Sequence, residues 1–273
     1  MMLRNYILFV IIISFFNFGL LQAQIETDTV SASDMTEGSV TIAESEAEAA
    51  YMNKDFVESI KLYEAEVEKN KLINQESAKL YYNLGNSYFR DNQIAKAIVN
   101  YERALLLNPG DSDIRHNLRF AKTRIEDKID SSDSFFINRW VRSIQNIYSA
   151  NSWATIGIVL FVLLIVAAGS YMISLRIIIR KISFYIGITL IFLVVVTNVF
   201  AFKQKRKIVD RSTAIVMSAS VSIYTSPDAH SQELFRLHEG AKVEIKREEG
   251  RWIEILIANG SVGWLQKTNV EII

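Results

Sequence analysis

The chain has 273 residues, equal numbers of acidic and basic side chains, half of its residues hydrophobic, and no cysteine. The lack of cysteine excludes disulfides, thiolate metal sites, catalytic thiols and a lipid-modified cysteine anchor. Balanced charge argues against nucleic acid as a partner, and the apolar excess is gathered into three runs.

Residues 1–24 hold the first run. Arg4 gives a positive start, residues 6–21 are apolar, and Ala23 offers a small residue before polar sequence. This reads as a secretory signal peptide cut after Ala23 or nearby. The alternative is an uncleaved anchor helix, and both place the adjoining polar segment outside the cytoplasm. Residues 25–42, rich in Ser, Thr, Asp and Glu without periodicity, read as a disordered leader.

Residues 43–130 carry a helical-repeat pattern. In the 34-residue window 78–111, Tyr81, Leu84, Gly85, Tyr88, Ala97, Tyr101, Ala104 and Pro109 fall at positions 4, 7, 8, 11, 20, 24, 27 and 32. Small residues at Gly85, Ala97 and Ala104 let two antiparallel helices nest, aromatics fill the gaps beside them, and Pro109 stops the second helix. That spacing is the tetratricopeptide pattern. Upstream, Phe56, Ser59, Tyr63 and Val67 repeat the second-helix spacing, but Ser59 lies 38 residues before Ala97, so an extended turn is expected over 69–77. Downstream, Ile114, Leu118, Ala121 and Ile125 stripe a capping helix. Two and a half repeats make a small solenoid, so a partner or a neighbouring domain is expected to complete it.

In tetratricopeptide arrays the first helix of each pair lines the concave face. Tyr82, Asn86, Phe89 and Arg90, with His116, Asn117 and Phe120 of the capping helix, are therefore candidate groove residues. Asn86 and Asn117 resemble the asparagines of members that clamp a C-terminal carboxylate, but Tyr82 stands where the accompanying lysine belongs. A groove of amides and aromatics suits an extended or helical segment of a protein partner. Under the competing reading, Asn86 satisfies local groups and the aromatics pack within the array. A pure binding role for Asn86 and Phe89 implies that their removal leaves stability unchanged.

Residues 131–152 contain Phe136, Trp140, Ile144, Ile147 and Tyr148 on one helical face and Arg139, Arg142 and Gln145 opposite. The segment reads either as an amphipathic juxtamembrane helix lying in the bilayer interface or as a connecting helix packed on the repeats. Residues 153–173 and 182–202 are charge-free runs of 21 residues each, long enough for a hydrocarbon core of about 30 Å. The short loop 174–181 makes them a transmembrane hairpin. With no charge inside, it reads as an anchor and not a channel. A signal peptide puts Arg176, Arg180 and Lys181 of the loop inside, as the positive-inside rule prefers, but leaves the basic linker 203–211 outside. The signal takes precedence because a first helix usually sets the topology.

Residues 212–273 turn to short β-rich runs, TAIVM, SVSIY, AKVEIK, WIEILI and SVGWL, separated by turn residues that include Glu239-Gly240 and Asn259-Gly260. A small closed all-β barrel is expected. The order of Leu237, Gly240, Trp252, Gly263 and Trp264 is similar to bacterial SH3 domains. Such domains recognise cell-wall peptides or proteins, which makes Tyr224, Trp252 and Trp264 a candidate surface. The plainer alternative is that both tryptophans plug the barrel. Tyr224-Thr225-Ser226 replaces the Arg-Ser-Gly run usual before the proline, which weakens any ligand site carried over from those domains.

His116, His230 and His238 are the only histidines, and none stands at metal-helix spacing. No phosphate loop or nucleophile elbow occurs. No catalytic residue, metal or cofactor is expected, and the chain reads as a non-enzyme. The fold class is thus a multidomain membrane protein with a tetratricopeptide solenoid, a transmembrane helical hairpin and an SH3-like barrel.

That order, with SANSWA before the first span and the strings ASVSIYTSPD and ELFRLHEGAKVEI, resembles the repeat-plus-SH3 members of the Bacteroides aerotolerance (Bat) family. The resemblance implies an adaptor of the bacterial inner membrane with both soluble modules in the periplasm. Its implied partners are other Bat-family membrane proteins, with von Willebrand A domains and a linked MoxR-type ATPase, or peptides from them. The alternative is an envelope sensor, or a peptidoglycan-binding protein, acting through the SH3-like domain. The short 174–181 loop is poorly suited to carrying a signal and favours the adaptor. Alkaline phosphatase fused after Ile273 is expected to be active, and phosphatase inserted in the 174–181 loop inactive. The reverse pattern would overturn the topology.

Overall fold

In the computed structural model, which describes residues 44–127 and 136–273, the repeat pattern folds as successive antiparallel helices. The expected signal peptide, the leader and residues 131–135 lie outside the described residues. The helices are α1 (44–52), α2 (Phe56–Leu72), α3 (Ala78–Arg90), α4 (Ile94–Leu107) and α5 (Ser112–Lys122). Side-chain caps start three of them. Asp55 accepts from the Glu58 N–H, Ser77 from that of Leu80, and Asp111 from those of Asp113 and Ile114. Asn92, at φ 62°, turns the chain between α3 and α4, a conformation asparagine tolerates.

The turn expected over 69–77 is confined to 73–77. Helix α2 has 17 residues against 14 in α4, so most of the excess spacing becomes nearly one further helical turn. The helix crossings match the small residues. Ala97 and Ala104 are fully buried, and a Cβ at Gly85 would lie 2.8 Å from both Cδ1 and Cε1 of Tyr101. Ser59 donates to the Ala47 carbonyl at 3.0 Å and meets the Ser87 hydroxyl at 2.9 Å, tying α2 to α1 and α3.

The strand module runs β1 (Thr213–Val216), β2 (Ser220–Tyr224), β3 (Glu233–His238), β4 (Lys242–Glu249), β5 (Trp252–Leu256), β6 (Val262–Gln266) and β7 (Val270–Ile272). All ladders are antiparallel, in the order β3-β2-β6-β5-β4-β1-β7. Asn259-Gly260 makes the β5–β6 turn, with Gly260 at φ 93° and the Asn259 side chain accepting from the Ser261 N–H. The sheet curls around one core of residues such as Val216, Ile223, Leu237, Val243, Ile255 and Leu265. Its ladders do not close, so the expected closed barrel is a rolled open sheet with β3 and β7 as edges. Neither edge strand stands among the five β-rich runs of the sequence.

Ile215 and Ile273 leave their own module. Ala214 and Val216 face the sheet core, while Ile215, between them, lies in the hydrophobic cluster of the helices with Ile60, Tyr63, Leu84, Ile98 and Tyr101. Ile273 joins it, and Met217 packs against it. The expected neighbour that completes the short solenoid is therefore the chain's own strand module. Each isoleucine contributes about 1.5–3 kcal/mol by burial. Gly240 allows the close approach. At φ 85° it would place a Cβ 2.4 Å from Ile125 Cγ2 and 3.2 Å from Ile98 Cδ1.

Between these modules lie α6 (Phe136–Gln145), α7 (Ala150–Ile173) and α8 (Ile177–Asp210). Helices α7 and α8 pair as a hairpin, and both are long and apolar enough to cross a membrane. Within their most apolar windows only 6% and 22% of residues are buried, so the apolar side chains face outward, as the core helices of a soluble fold do not. The loop is shorter than expected, 174–176, and the supposed linker 203–211 is mostly the helical end of α8. Ser149 caps α7, so the helix begins three residues ahead of the expected start of the span at Trp153. Helix α6 ends at Gln145, so Ile147 and Tyr148 sit in the turn beyond it and not on its face. Trp140 is exposed, whereas Tyr148 stacks edge-on against Trp153 at 5.3 Å.

Gly85→Leu is expected to overpack the α3–α4 crossing against Tyr101, at a cost of about 1–3 kcal/mol or more. Thermal melting of the purified full chain checks this, and an unchanged melting temperature would contradict the crossing.

Candidate functional site

The concave-face candidates come together on α3 and α5. Tyr82, Asn86 and Asn117 form one network: Asn117 Nδ2 donates to Tyr82 Oη at 3.0 Å and to Asn86 Oδ1 at 2.9 Å. Tyr101 Oη, reaching across from α4, donates to the same Asn86 oxygen at 2.7 Å. Burial raises the Tyr101 pKa, which keeps the phenol protonated as a donor. Phe89 and Phe120 pair with ring centroids 5.5 Å apart, and the Arg124 guanidinium lies 5.5 Å from the Phe120 ring. Arg90 is drawn aside, over the Phe56 ring at 5.3 Å. His116 is exposed on α5.

These contacts bear on the expected silence of Asn86 removal. Its oxygen is the acceptor for a buried tyrosine and for Asn117, so Asn86→Ala leaves donors unpaired and costs about 1–3 kcal/mol. What the face offers outward is Phe120, 46% exposed, with half-buried Tyr82, Asn86, Phe89 and Asn117 beside it.

The strand-module candidates also converge. Tyr224 pairs with Trp264 across β2 and β6, and its ring meets Trp252 edge-on at 5.7 Å. The tryptophans do not plug the core. Trp252 alternates with Ile253, and Trp264 with Leu265, and the core holds the aliphatic partners but neither tryptophan. On the outer face both rings are nonetheless covered, at 8% and 5% exposure. Arg247 lies over Trp264 at 5.0 Å and pairs with Glu254 at 3.4 Å. A ligand approaching this face meets Tyr224 and Arg247 before it meets indole.

A third constellation, for which sequence spacing gives no cue, joins the two modules. Glu102, at the middle of α4, is buried and bridges Lys122 at 2.7 Å and Lys242 at 2.6 Å. Arg103 pairs with Glu271 at 2.9 Å and donates to the Ile272 carbonyl at 2.9 Å. Glu76, which also accepts from Tyr81 Oη, pairs with Arg211, the residue that caps the end of α8 just ahead of β1. The Asp127 carboxylate accepts from the His238 N–H at 2.6 Å and meets its Nδ1 at 3.0 Å. The one signal of this docking in the sequence is a continuous apolar AIV run in β1, the mark of burial on both faces.

Two family models match the chain. Residues 78–111 match the tetratricopeptide repeat, and residues 218–271 match the bacterial SH3 domain. No curated protein matches it. Repeats and domains of these two kinds serve protein–protein interaction or cell-wall binding.

The ion pairs that join the two modules, a clasp between them, titrate in two directions. Desolvation pushes the Glu102 carboxyl up, but Lys242 and Lys122 more than offset it, so its pKa is lowered. Its contribution is therefore present above the ordinary glutamate value of about 4.3 and is lost as pH falls through the lower folded value. The hydrogen bond to Asp127 outweighs desolvation and raises the His238 pKa. That contribution is complete below about 6.5 and fades as pH rises through the raised folded value. Glu102→Gln is expected to cost about 1–3 kcal/mol near neutral pH and to flatten the acid limb of stability against pH. Melting temperatures from about pH 3 to 8, a range spanning about 4.3 and 6.5, check this. An unchanged acid limb would remove Glu102 from the clasp.

Proposed function

We propose that the chain is a membrane-anchored adaptor of the bacterial cell envelope, in which the helical groove engages a segment of a partner protein. The observation that carries this reading is the division of the repeat surface. The strand module lies against α4, while the aromatic and amide patch of α3 and α5 keeps Phe120 and His116 exposed. A rigid patch of aromatics with adjustable amides suits an extended or helical peptide. The hairpin α7–α8 serves as the anchor in the inner membrane, and its short loop leaves the soluble modules together on one side, the periplasmic one. The family resemblance supplies the partner class: other Bat-type membrane proteins with von Willebrand A domains. In this reading the chain is not an enzyme.

A second reading, binding of cell-wall peptide, draws on the outer face of the strand module, where Arg247 is exposed beside half-buried Tyr224. Crosslinking and pull-down of the full chain from native membranes separates the two. Phe120→Asp with His116→Glu changes exposed groove residues without touching the Asn86 network. It is expected to abolish recovery of the von Willebrand A-domain protein, while Tyr224→Ala leaves recovery intact. Loss with Tyr224→Ala alone, together with wild-type retention on peptidoglycan, would replace the adaptor reading with the cell-wall one.

A further inference from the structure

A cavity of about 860 Å³ lies where α4, α6, the end of α8 and the strand module meet, apart from both candidate surfaces. Six basic side chains line it: Arg115, Arg142, Lys203, Arg206, Lys207 and Lys242. Three carboxylates share the wall, and each is already engaged. Glu102 holds Lys122 and Lys242, Asp210 holds Arg206, and Glu244 holds Lys246. Among the described residues, no carboxylate forms an ion pair with Arg142, Lys203 or Lys207.

An independent observation points the same way. Gln145 lines the cavity, is 4% exposed, and its Nε2 has no acceptor. Buried amide donors are nearly always paired. Gln204, on the same wall, fixes the site by donating to the Gln145 carbonyl at 3.1 Å. Apolar Leu105, Leu106 and Val141 complete the wall. Lys203 directly adjoins the charge-free run 182–202, so in a spanning hairpin the cavity sits at headgroup depth.

We propose that this cavity binds a phosphate-bearing anion, the headgroup of an anionic phospholipid beside the hairpin. Arg142, Lys203 and Lys207 neutralise the phosphate and Gln145 donates to it, while the apolar wall takes the glycerol. The lipid source rests on the membrane reading, whereas the anion site does not. The proposal also gives the basic end of α8 a use on the side where charge counting disfavours it.

Native mass spectrometry and thermal melting of the full chain in neutral detergent test the proposal, with phosphatidylglycerol, phosphatidylcholine or soluble glycerol phosphate added. Phosphatidylglycerol is expected to be retained about tenfold or more over phosphatidylcholine. The preference should vanish in Arg142→Gln/Lys203→Gln/Lys207→Gln and persist in Arg176→Gln/Arg180→Gln/Lys205→Gln, which removes equal charge elsewhere. Should the first variant not fold, Lys203→Gln alone, at an exposed position, serves with the same expectation in smaller degree. Stabilisation by glycerol phosphate that is lost in the cavity variant, without lipid preference, supports the anion site with a soluble source. Equal retention by both variants, or no response to either anion, overturns the proposal. Flotation of the wild-type chain with neutral liposomes tests the membrane reading separately.

Discussion

Ile215 and Ile273 belong to the strand module by chain order, yet their side chains lie in the core of the helical repeats. Short helical arrays are marginal because each unit relies on a neighbour to cover its apolar face. Here the neighbour is supplied in cis. Strand β1 is the hinge of the arrangement, since Ala214, Ile215 and Val216 are all fully buried, two toward the sheet and one toward the helices. Gly240 lets the β3–β4 turn come close enough to Ile98 and Ile125 for the two surfaces to meet. The ion pairs of Glu102, Arg103, Glu76 and the Asp127–His238 contact surround this apolar contact. Glu102 is buried, so its pairs with Lys122 and Lys242 add stability, whereas attraction between the partly exposed charges of the other pairs adds little, and their main effect is to fix the register of the two modules.

Docking of the strand module occupies α4, so the α3–α5 side is the repeat face left for a partner. The end of α8 and helix α6 lie beside the strand module and line the basic cavity with it. Trp153 and Gln204 hold this junction through the Gln145 carbonyl, at 2.9 and 3.1 Å. The apolar hairpin, the repeats and the strand module are thereby coupled.

The helical elements are legible in the sequence because their signals are local and periodic. The spacing of Gly85, Ala97, Ala104 and the tyrosines reports helix crossings directly, and a charge-free run of 21 residues needs no partner to be recognised. Strand β3 is harder to see, since Glu233 and Arg236 break the apolar pattern of an edge strand. The position of the tryptophans is misleading for a related reason. Trp252 and Trp264 are bulky and nearly buried, yet strand alternation sets them on the face opposite Ile253 and Leu265. The clasp and the cavity are not legible, because they join residues more than a hundred positions apart in several places, such as Glu102 with Lys242. In the candidate groove, sequence spacing brings Asn86 and Asn117 to one face but cannot reveal that they bond each other, or that Asn86 bonds Tyr101.

The central claim is that the strand module supplies part of the repeat core. Amide hydrogen exchange of the full chain, compared with Ile215→Ala and Ile273→Ala, tests it most directly. Each substitution should cost about 2–5 kcal/mol. The account predicts that the lost protection appears in the amides of α4, residues 94–107, as strongly as in β1 and β7. Protection lost only in the strands, with α4 unchanged, would mean that the helices stand on their own and would contradict the account.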